Sequence, residues 1–549
     1  MSIEQKRNLR NLAILFASAL VIYFRSPSHF LAPSLWAEEG TRYFAFANNL
    51  VWYQALTKVT LGYFSLWPNL ALTVAVNLFS LENVPLITTI FAFIVQLIPI
   101  IIILWSQSCF WRNDVMKGIG ILVVLFAPLS EEVWLNTINS QFYCLLIAFL
   151  ILIEDIDTVS MLKKWWYRIL LALAGLTGAV SSFLIPLFVL KAWREKKTEY
   201  VVQTTILLLG AVVQMSALWT SSQYSDVPLR WNGFDFRLFI SAIWTKSLAL
   251  AFLGLENANA YASMLDNMSE YEFGLFSLLL LFPIAVFFVY HALKLQVETK
   301  ITLIGSYFLV SIFMVMFSLG SDKSYLVFPG NGSRYFYVPN VILMFIVLAA
   351  IRFEKTKFKM LQSILPIALL IISLGLGMTQ YFKLPTRNDL YGPNWKEEIS
   401  EWRENPQKAL VGISPKGWEI WLGQPLHYEL TDRLALVGIY KEKTSEGLNV
   451  KLLWKGDPTA GDDNQTHYTA YVHVINGNSE RLAGYDYLLG NEAHSPFFSS
   501  YHQLACPSDC FLPNYCGLVI GVYYFENEEL VNVNSITLEN STATDQNAP

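Results

Sequence analysis

Charged residues are scarce in this chain, and their scarcity excludes an ordinary soluble protein. Asp, Glu, Lys and Arg make up 15% of the 549 residues, whereas soluble domains average about 25%. Hydrophobic residues make up 54% and the mean hydropathy is +0.40. Long apolar runs recur through residues 12–380. The composition therefore predicts a protein that crosses a membrane several times.

Cysteine and histidine are also few, and their spacing argues against a zinc site. The chain has five cysteines, two in the membrane body (Cys109 and Cys144) and three close together near the C-terminus (Cys506, Cys510 and Cys516). No second cysteine pair or histidine pair completes a set of four ligands. The C-terminal cluster is consistent with one disulfide and one remaining thiol, or with free thiols, and the pairing stays open. The histidines of this region are scattered.

A signal-peptide cleavage site and an internal repeat are missing as well. The basic start "KRNLR" precedes the apolar run "NLAILFASALVIYF" (11–24), but no small-residue site follows it. We therefore expect an uncleaved first helix with a cytoplasmic N-terminus. A transporter or flippase would show repeated halves and acids at mid-membrane. It remains the alternative to an enzyme, and a purely structural or receptor role would leave the loop acids described below unexplained.

Charge divides the chain into two domains. Residues 1–384 carry 27 basic and 21 acidic side chains, net +6, and residues 385–549 carry 11 and 22, net −11. The first part reads as a transmembrane domain and the second as an acidic, extracytoplasmic domain. Placing the basic loops in the cytoplasm gives about eleven crossings, with 169–190 as a hairpin near Ser181 and 238–254 as a re-entrant or interfacial segment. The remaining crossings are placed at 85–106, 118–129, 143–154, 200–219, 273–290, 301–319, 337–351 and 362–380.

The C-terminal domain alternates short strand patterns with turns. Segments such as "LALVGIY", "NVKLLW" and "LVIGVYYFENEELV" predict strands, and in "YTAYVHV" every second residue from Tyr468 to Val474 points to one side. This pattern predicts an antiparallel β-sandwich. The stretch 392–405 predicts an amphipathic helix that joins the two domains.

Three loops predicted to face outward carry unusual polar groups. They hold Glu38, Glu39 and Arg42; Glu131, Glu132, Asn136, Asn139 and Gln141; and Asp322, Lys323, Arg334 and Tyr335. Acids can act as a base or as metal ligands, and arginine binds phosphate through its planar fork. The alternatives are solvated surface charge for the acid pairs, helix capping for the second loop and an interfacial anchor for Arg334.

These loops resemble those of the GT-C superfamily, which are polytopic glycosyltransferases that use polyprenyl-phosphate-linked sugars. "WAEEG" (36–40) followed by "GYFSLWPNL" (62–70) resembles the first loop of bacterial members, including phage-type O-antigen glucosyltransferases. "GSRYFYVP" (332–339) resembles their late Arg-Tyr motif. "YTAYVHVINGNSERLAGYDYLLG" and "LVIGVYYFENEEL" resemble the jelly-roll module appended to some of them.

The resemblance implies an enzyme of the bacterial inner membrane that transfers a sugar from a polyprenyl-phosphate donor to an extracytoplasmic glycan or lipid-linked acceptor, with inversion. It implies catalysis by Glu38 or Glu39, which also are the candidate ligands for Mg²⁺ or Mn²⁺. Donor phosphate would be bound by Arg334, Tyr335, Lys323 and Arg42, and the acceptor or donor by Glu131, Glu132, Asn136 and Asn139. This chain has Glu-Glu where relatives have an Asp/Glu pair, so which residue is the base stays open.

Overall fold

The computed structural model describes most of the chain as two compact units. The described residues are 2–111, 113–224, 234–279, 297–318, 326–351, 357–383, 394–404, 409–414, 418, 420, 428–444, 447–459, 466–476, 480–489, 497–505, 517–526 and 529–539. A helical unit comprises Met1–Gln223, Val227–Trp395 and Ile413–Lys416, and a β-rich unit comprises Tyr224–Asp226, Lys396–Gly412 and Gly417–Pro549.

The helical unit consists of α-helices with short irregular turns between them. The α-helices are Ile3–Arg25, Ser28–Leu31, Ala45–Asn49, Trp52–Thr57, Leu66–Leu78, Val84–Trp105, Asp114–Phe126, Ser140–Leu152, Met161–Leu176, Ile185–Glu195, Thr198–Tyr224, Phe236–Ala242, Leu250–Leu253, Leu255–Asn267, Val297–Met316, Arg334–Ala350 and Lys357–Lys383. Glu39–Phe44 and Ile243–Ala249 are π-helical, and Leu81–Asn83, Ile156–Thr158 and Val180–Leu184 are 3₁₀ turns. Short strands pair Leu35–Trp36 with Ile413–Ser414 and Val59–Thr60 with Tyr63–Phe64.

Polar side chains fix where several of these helices begin. Ser2 and Gln5 form a reciprocal capping box at the first helix. Asn113 accepts a hydrogen bond from the backbone N–H of Met116, and Asp235 accepts one from Leu238. These caps satisfy backbone N–H groups that a helix leaves without partners at its first turn.

Four helices within the described residues are long and apolar enough to cross a membrane, judged by length and composition. They are Leu81–Trp105, Thr198–Ser221, Phe236–Leu253 and Ser363–Phe382. Shorter apolar helices are Leu66–Leu78, Ser140–Leu152, Ile301–Met316 and Arg334–Ala350. The first helix is not among the four, since its apolar run lies between Asn11 and Arg25.

Residues 238–254, expected to be a re-entrant or interfacial segment, lie almost entirely in one continuous helical stretch, Phe236–Leu253. This stretch is long and apolar enough to cross a membrane, and 78% of its apolar window is buried. Its placement relative to a bilayer stays a prediction. A 3₁₀ turn, Val180–Leu184, lies between the helices Met161–Leu176 and Ile185–Glu195, at the position near Ser181 where a hairpin is predicted to turn. The crossing predicted at 273–290 lies mostly outside the described residues.

Within its described residues, the β-rich unit contains eight strands, paired antiparallel in two sheets. The helix Trp395–Glu404 precedes them in the chain. In chain order the strands are Tyr428–Glu429, Leu434–Thr444, Gly447–Gly456, Thr469–Ile475, Arg481–Leu488, Phe497–Leu504, Gly517–Glu526 and Glu529–Glu539. One sheet has the order sixth–third–second–first and the other the order eighth–seventh–fourth–fifth. Buried side chains of both sheets, such as Leu452 and Val472, form a single apolar core.

The strand order of the described residues bears on the jelly-roll expectation, which stays a prediction. The third strand pairs with the sixth in one sheet, and the fourth pairs with the seventh in the other. Immunoglobulin-like sandwiches have these two pairings, between strands B and E and between strands C and F, and an eight-stranded jelly roll has them as well. A jelly roll pairs its first and last strands, whereas the first and last of the eight described strands lie in different sheets.

Candidate functional site

The acid pair lies where a short strand passes into a π-helical turn. The strand Leu35–Trp36 pairs in parallel with Ile413–Ser414, and the backbone N–H of Ala37 donates to the carbonyl of Ser414 at 2.7 Å. Ala37 has a φ of 38°, in the left-handed region that non-glycine residues rarely occupy. This turn places Glu38 and Glu39 in different surroundings although they are neighbours in the chain.

The side chain of Glu39 points into the protein, where it accepts hydrogen bonds from other residues of the chain. Its side chain is 2% exposed. One oxygen accepts hydrogen bonds from the backbone N–H (3.1 Å) and the hydroxyl of Thr137, and the other accepts the N–H of Trp36 at 3.1 Å. Burial raises the pKa of the Glu39 carboxyl, and these hydrogen bonds oppose the rise. Glu39 thus links the first loop to the second.

Glu38 instead lines a cavity of about 230 Å³ inside the helical unit. The polar part of the lining includes Glu38, Asn139, Gln141, Arg334 and Tyr335. The apolar part includes Val180, Phe183, Ala211, Met215, Leu218 and Phe317. Glu38 and Arg334 also interact electrostatically. The cavity therefore offers one carboxylate and one guanidinium next to a surface suited to hydrocarbon.

Arg334 begins the helix Arg334–Ala350 instead of lying in the predicted loop. Its guanidinium forms an ion pair with the buried carboxylate of Glu132 at 3.0 Å, and the same carboxylate oxygen accepts the Arg334 backbone N–H at 3.2 Å. The guanidinium also lies 5.0 Å from the ring centroid of Tyr335. Arginine has five N–H donors in a planar fork, so the Glu132 pair fixes one side of the fork while Arg334 still lines the cavity.

Asn136 and Asn139 brace the second loop. The amide groups of both donate to the carbonyl of Glu132, at 2.8 and 2.7 Å, and the Asn136 side-chain oxygen accepts the backbone N–H of Asn139 at 3.0 Å. Leu129 and Leu135 in this loop also have positive φ values, 66° and 45°. Strained residues tend to gather near functional sites. Asn139 lines the cavity, whereas Asn136 is not among its described lining residues.

Other predicted site residues lie outside the cavity lining. Glu131 is half-buried and interacts electrostatically with Arg25 and Lys246. Arg42 lies on the π-helical turn Glu39–Phe44 and is not among the described residues that line the cavity. Lys323 lies outside the described residues, and so do Cys506, Cys510 and Cys516. Cys109 and Cys144 are free thiols.

Two of the three carboxylates near the cavity, those of Glu39 and Glu132, already have partners in the protein. Mg²⁺ and Mn²⁺ favour several oxygen ligands, yet Glu39 already accepts three hydrogen bonds and Glu132 is paired with Arg334. Within the described residues no group of three or more His, Cys, Asp or Glu side chains could hold a metal. Metal binding by Glu38 or Glu39 stays a prediction.

Three side chains that position the site were missed in the sequence. Thr137 binds Glu39, Gln214 binds both the N–H and the carbonyl of Phe64 at 3.0 and 2.9 Å, and Lys246 binds the chain just before Arg334. Gln214 and Lys246 each interrupt an apolar run, and such polar residues within a membrane-length helix are a signal of function or of structural pairing. Comparison with known proteins adds no family: the chain matches no protein-family model, and no curated protein is significantly similar to it.

Proposed function

We propose that the protein is a membrane glycosyltransferase that moves a sugar from a polyprenyl-phosphate-linked donor to an extracytoplasmic glycan or lipid-linked acceptor. The observation that carries this proposal is the cavity shared by Glu38 and Arg334. A carboxylate can serve as a base, a guanidinium can bind phosphate, and the apolar side chains beside them suit an isoprenoid.

Glu38 is proposed as the base. It takes the proton of the acceptor hydroxyl while that oxygen bonds to the anomeric carbon and the bond from this carbon to the phosphate oxygen breaks. One displacement inverts the anomeric configuration and releases polyprenyl phosphate. Glu39 is assigned a positioning role, because its hydrogen bonds with Thr137 and Trp36 fix the turn that carries Glu38.

Arg334 is proposed to bind the donor phosphate. The phosphate gains negative charge as the sugar leaves, and a preorganised guanidinium stabilises that charge in the transition state. Glu132 holds Arg334 in place from the side of the second loop. Tyr335 shares the lining and packs against the guanidinium. Lys323 and Arg42 stay predicted contributors to phosphate binding, and Asn139 to binding of donor or acceptor.

The membrane setting is part of the proposal. Four candidate spans and several shorter apolar helices support association with a bilayer. About eleven crossings, a cytoplasmic N-terminus and an extracytoplasmic C-terminal domain at a bacterial inner membrane are proposed from the distribution of basic loops. The C-terminal β-rich domain is assigned no catalytic role.

The test uses the full-length protein in liposomes with a polyprenyl-phosphate-linked hexose and a glycan acceptor. Transfer converts the donor's phosphodiester into the phosphomonoester polyprenyl phosphate, which ³¹P NMR distinguishes. A flippase would move the donor between leaflets and leave the phosphodiester intact. Acceptor-dependent formation of the monoester supports the proposal. If the donor moves between the leaflets and no phosphomonoester forms with any of a panel of hexose and pentose donors, the transporter alternative would be established instead.

A further inference from the structure

A lysine is completely buried in a helix long enough to cross the membrane. Lys246 is 0% exposed and lies in the π-helical part of Phe236–Leu253. A charged group in such a position is unfavourable unless it is paired, and it is a functional hypothesis by default. π-Helical turns are rare and are frequent at functional sites.

The Lys246 ammonium is fully used by backbone carbonyls. It donates to the carbonyls of Phe328 (2.7 Å), Pro329 (3.4 Å) and Asn331. An ammonium group has three N–H donors, so these three bonds leave none for a substrate. Lys246 is therefore not a second phosphate ligand, although it carries the charge that such a ligand needs.

These bonds hold the chain that leads directly into Arg334. The neighbouring Thr245 hydroxyl also donates to the carbonyl of Val327 at 2.7 Å, so two consecutive side chains fix the segment 327–331. Gly332 then turns with a φ of 58°, and Arg334 begins its helix two residues later.

The same lysine is also bonded to the chain after Arg334. The Asn340 side chain, in the second turn of the helix Arg334–Ala350, donates to the backbone carbonyl of Lys246 at 3.0 Å. Lys246 thus contacts the polypeptide on both sides of Arg334. Glu132 holds the guanidinium itself, and Lys246 holds the backbone that carries it.

We propose that Lys246 is the positioning residue for Arg334, setting the place of the guanidinium against the donor phosphate. This inference rests on the proposed function. A misplacement of about 1 Å in a catalytic group can lower a rate about 10²-fold. Loss of the lysine is expected to act through the leaving phosphate, whose charge grows in the transition state, more than through binding of the donor.

The experiment compares Lys246→Met with Lys246→Arg and with Lys117→Met in full-length protein. Lys117 provides a matched control, because its ammonium also donates to two backbone carbonyls, those of Leu104 and Ser106, away from the cavity. We expect Lys246→Met to lower kcat about 10–100-fold with donor KM within about threefold of wild type. Lys246→Arg should recover most of the rate, and Lys117→Met should leave it unchanged.

A double-mutant cycle separates positioning from general destabilisation. Adding Lys246→Met to Arg334→Met should lower kcat no further, because the positioned group is already gone. The inference would be overturned if the fold-losses of kcat in the two single variants multiplied in the double mutant, or if Lys246→Met had wild-type kinetics. If Lys246→Met does not fold, Lys246→Arg takes its place in the cycle, and a loss of kcat in Lys246→Arg that multiplies with the loss in Arg334→Met would overturn the inference.

Binding of polyprenyl phosphate provides a measurement that does not depend on transfer. Its affinity, followed by tryptophan fluorescence, should fall by a similar factor in Lys246→Met and Arg334→Met. Absence of transfer by wild type with these affinity changes present would refute the proposed function alone. Transfer by wild type, with polyprenyl phosphate affinity unchanged in Lys246→Met, would refute the role of Lys246 alone.

Discussion

The helix Ser140–Leu152 has a cavity at each end, and their charged groups differ in how far the protein itself satisfies them. The helix has 13 residues, so its ends are about 20 Å apart. At its C-terminal end, Glu154 is fully buried and accepts hydrogen bonds from the Ser106 hydroxyl (2.7 Å) and the Gln107 N–H (2.8 Å). Lys163 lies 3.5 Å away as its ion-pair partner.

The cations at that end are bound to the protein as well. Lys191 donates to the carbonyls of Leu152 and Glu154, at 2.6 and 2.9 Å, and Lys197 pairs with Asp157 at 2.5 Å. The cavity there, about 200 Å³, is lined by both signs of charge. Such an arrangement completes the end of a helix, where cations are favoured by the helix dipole.

At the N-terminal end one carboxylate is satisfied and its neighbour faces the cavity. Glu39 is the counterpart of Glu154, buried and surrounded by donors, whereas Glu38 lines the cavity with Arg334. A helix N-terminus also favours anions. Under the proposed function, burial alone therefore does not mark the catalytic acid, because Glu39 and Glu154 are both buried and both accept several hydrogen bonds.

Replacing Glu38 should have the largest effect on the rate, and it is the most direct test of the difference between the two ends of the helix Ser140–Leu152. In Glu38→Gln the side chain keeps its size and loses its ability to take a proton. We expect kcat to fall roughly 10²–10⁴-fold, because general base catalysis contributes that much. The measurement is the rate of polyprenyl phosphate release across pH, in which the limb due to the base should vanish. An unchanged pH profile would show that the base is another group.

Removing the arginine should have the next largest effect. Arg334→Met removes the charge that faces the departing phosphate and leaves Glu132 buried without its ion-pair partner. We expect a fall of roughly 10²–10³-fold in kcat. Arg334→Lys restores the charge without the planar fork, so it should recover only part of the rate. Full activity in Arg334→Met would contradict the proposal that Arg334 binds the donor phosphate.

Glu39→Gln tests whether the two neighbouring acids have different roles. Glutamine keeps one acceptor for Thr137 but places an N–H₂ group against the Trp36 N–H, so stability should fall by about 1–3 kcal/mol. The rate should fall by only about tenfold, since the turn carrying Glu38 shifts while the base remains. Unlike Glu38→Gln, Glu39→Gln should keep the limb of the pH profile that is due to the base. Loss of the base limb in Glu39→Gln would reverse the two assignments.

Local patterns in the sequence correctly predicted several secondary-structure elements. Alternation correctly placed Ala470, Val472 and Val474 in the core, where each is at most 1% exposed. The amphipathic pattern at 392–405 correctly indicated the helix Trp395–Glu404. Each of these depends on neighbours in the chain, which a sequence displays directly.

Features set by distant contacts could not be predicted in this way. Which of two adjacent glutamates faces the cavity depends on the left-handed backbone at Ala37 and on Thr137, about a hundred residues away in the chain. The sheet order of the sandwich also depends on which strand edges meet. A strand pattern gives no preference between an immunoglobulin-like order and a jelly roll, because both bury every second residue.

Glu154→Gln should have the smallest effect on the reaction and is the control for the whole comparison. The substitution leaves Lys163 without its charged partner and one backbone or hydroxyl donor without a good acceptor. We expect stability to fall by about 1–3 kcal/mol, seen as a lower unfolding temperature in detergent. Transfer should stay within about twofold of wild type, because Glu154 lies at the far end of the helix from Glu38. A carboxylate that is bound to three donors and lies about 20 Å from Glu38 cannot contact a substrate in the Glu38 cavity. A rate loss in Glu154→Gln as large as that in Glu38→Gln would therefore contradict the placement of the reaction in that cavity.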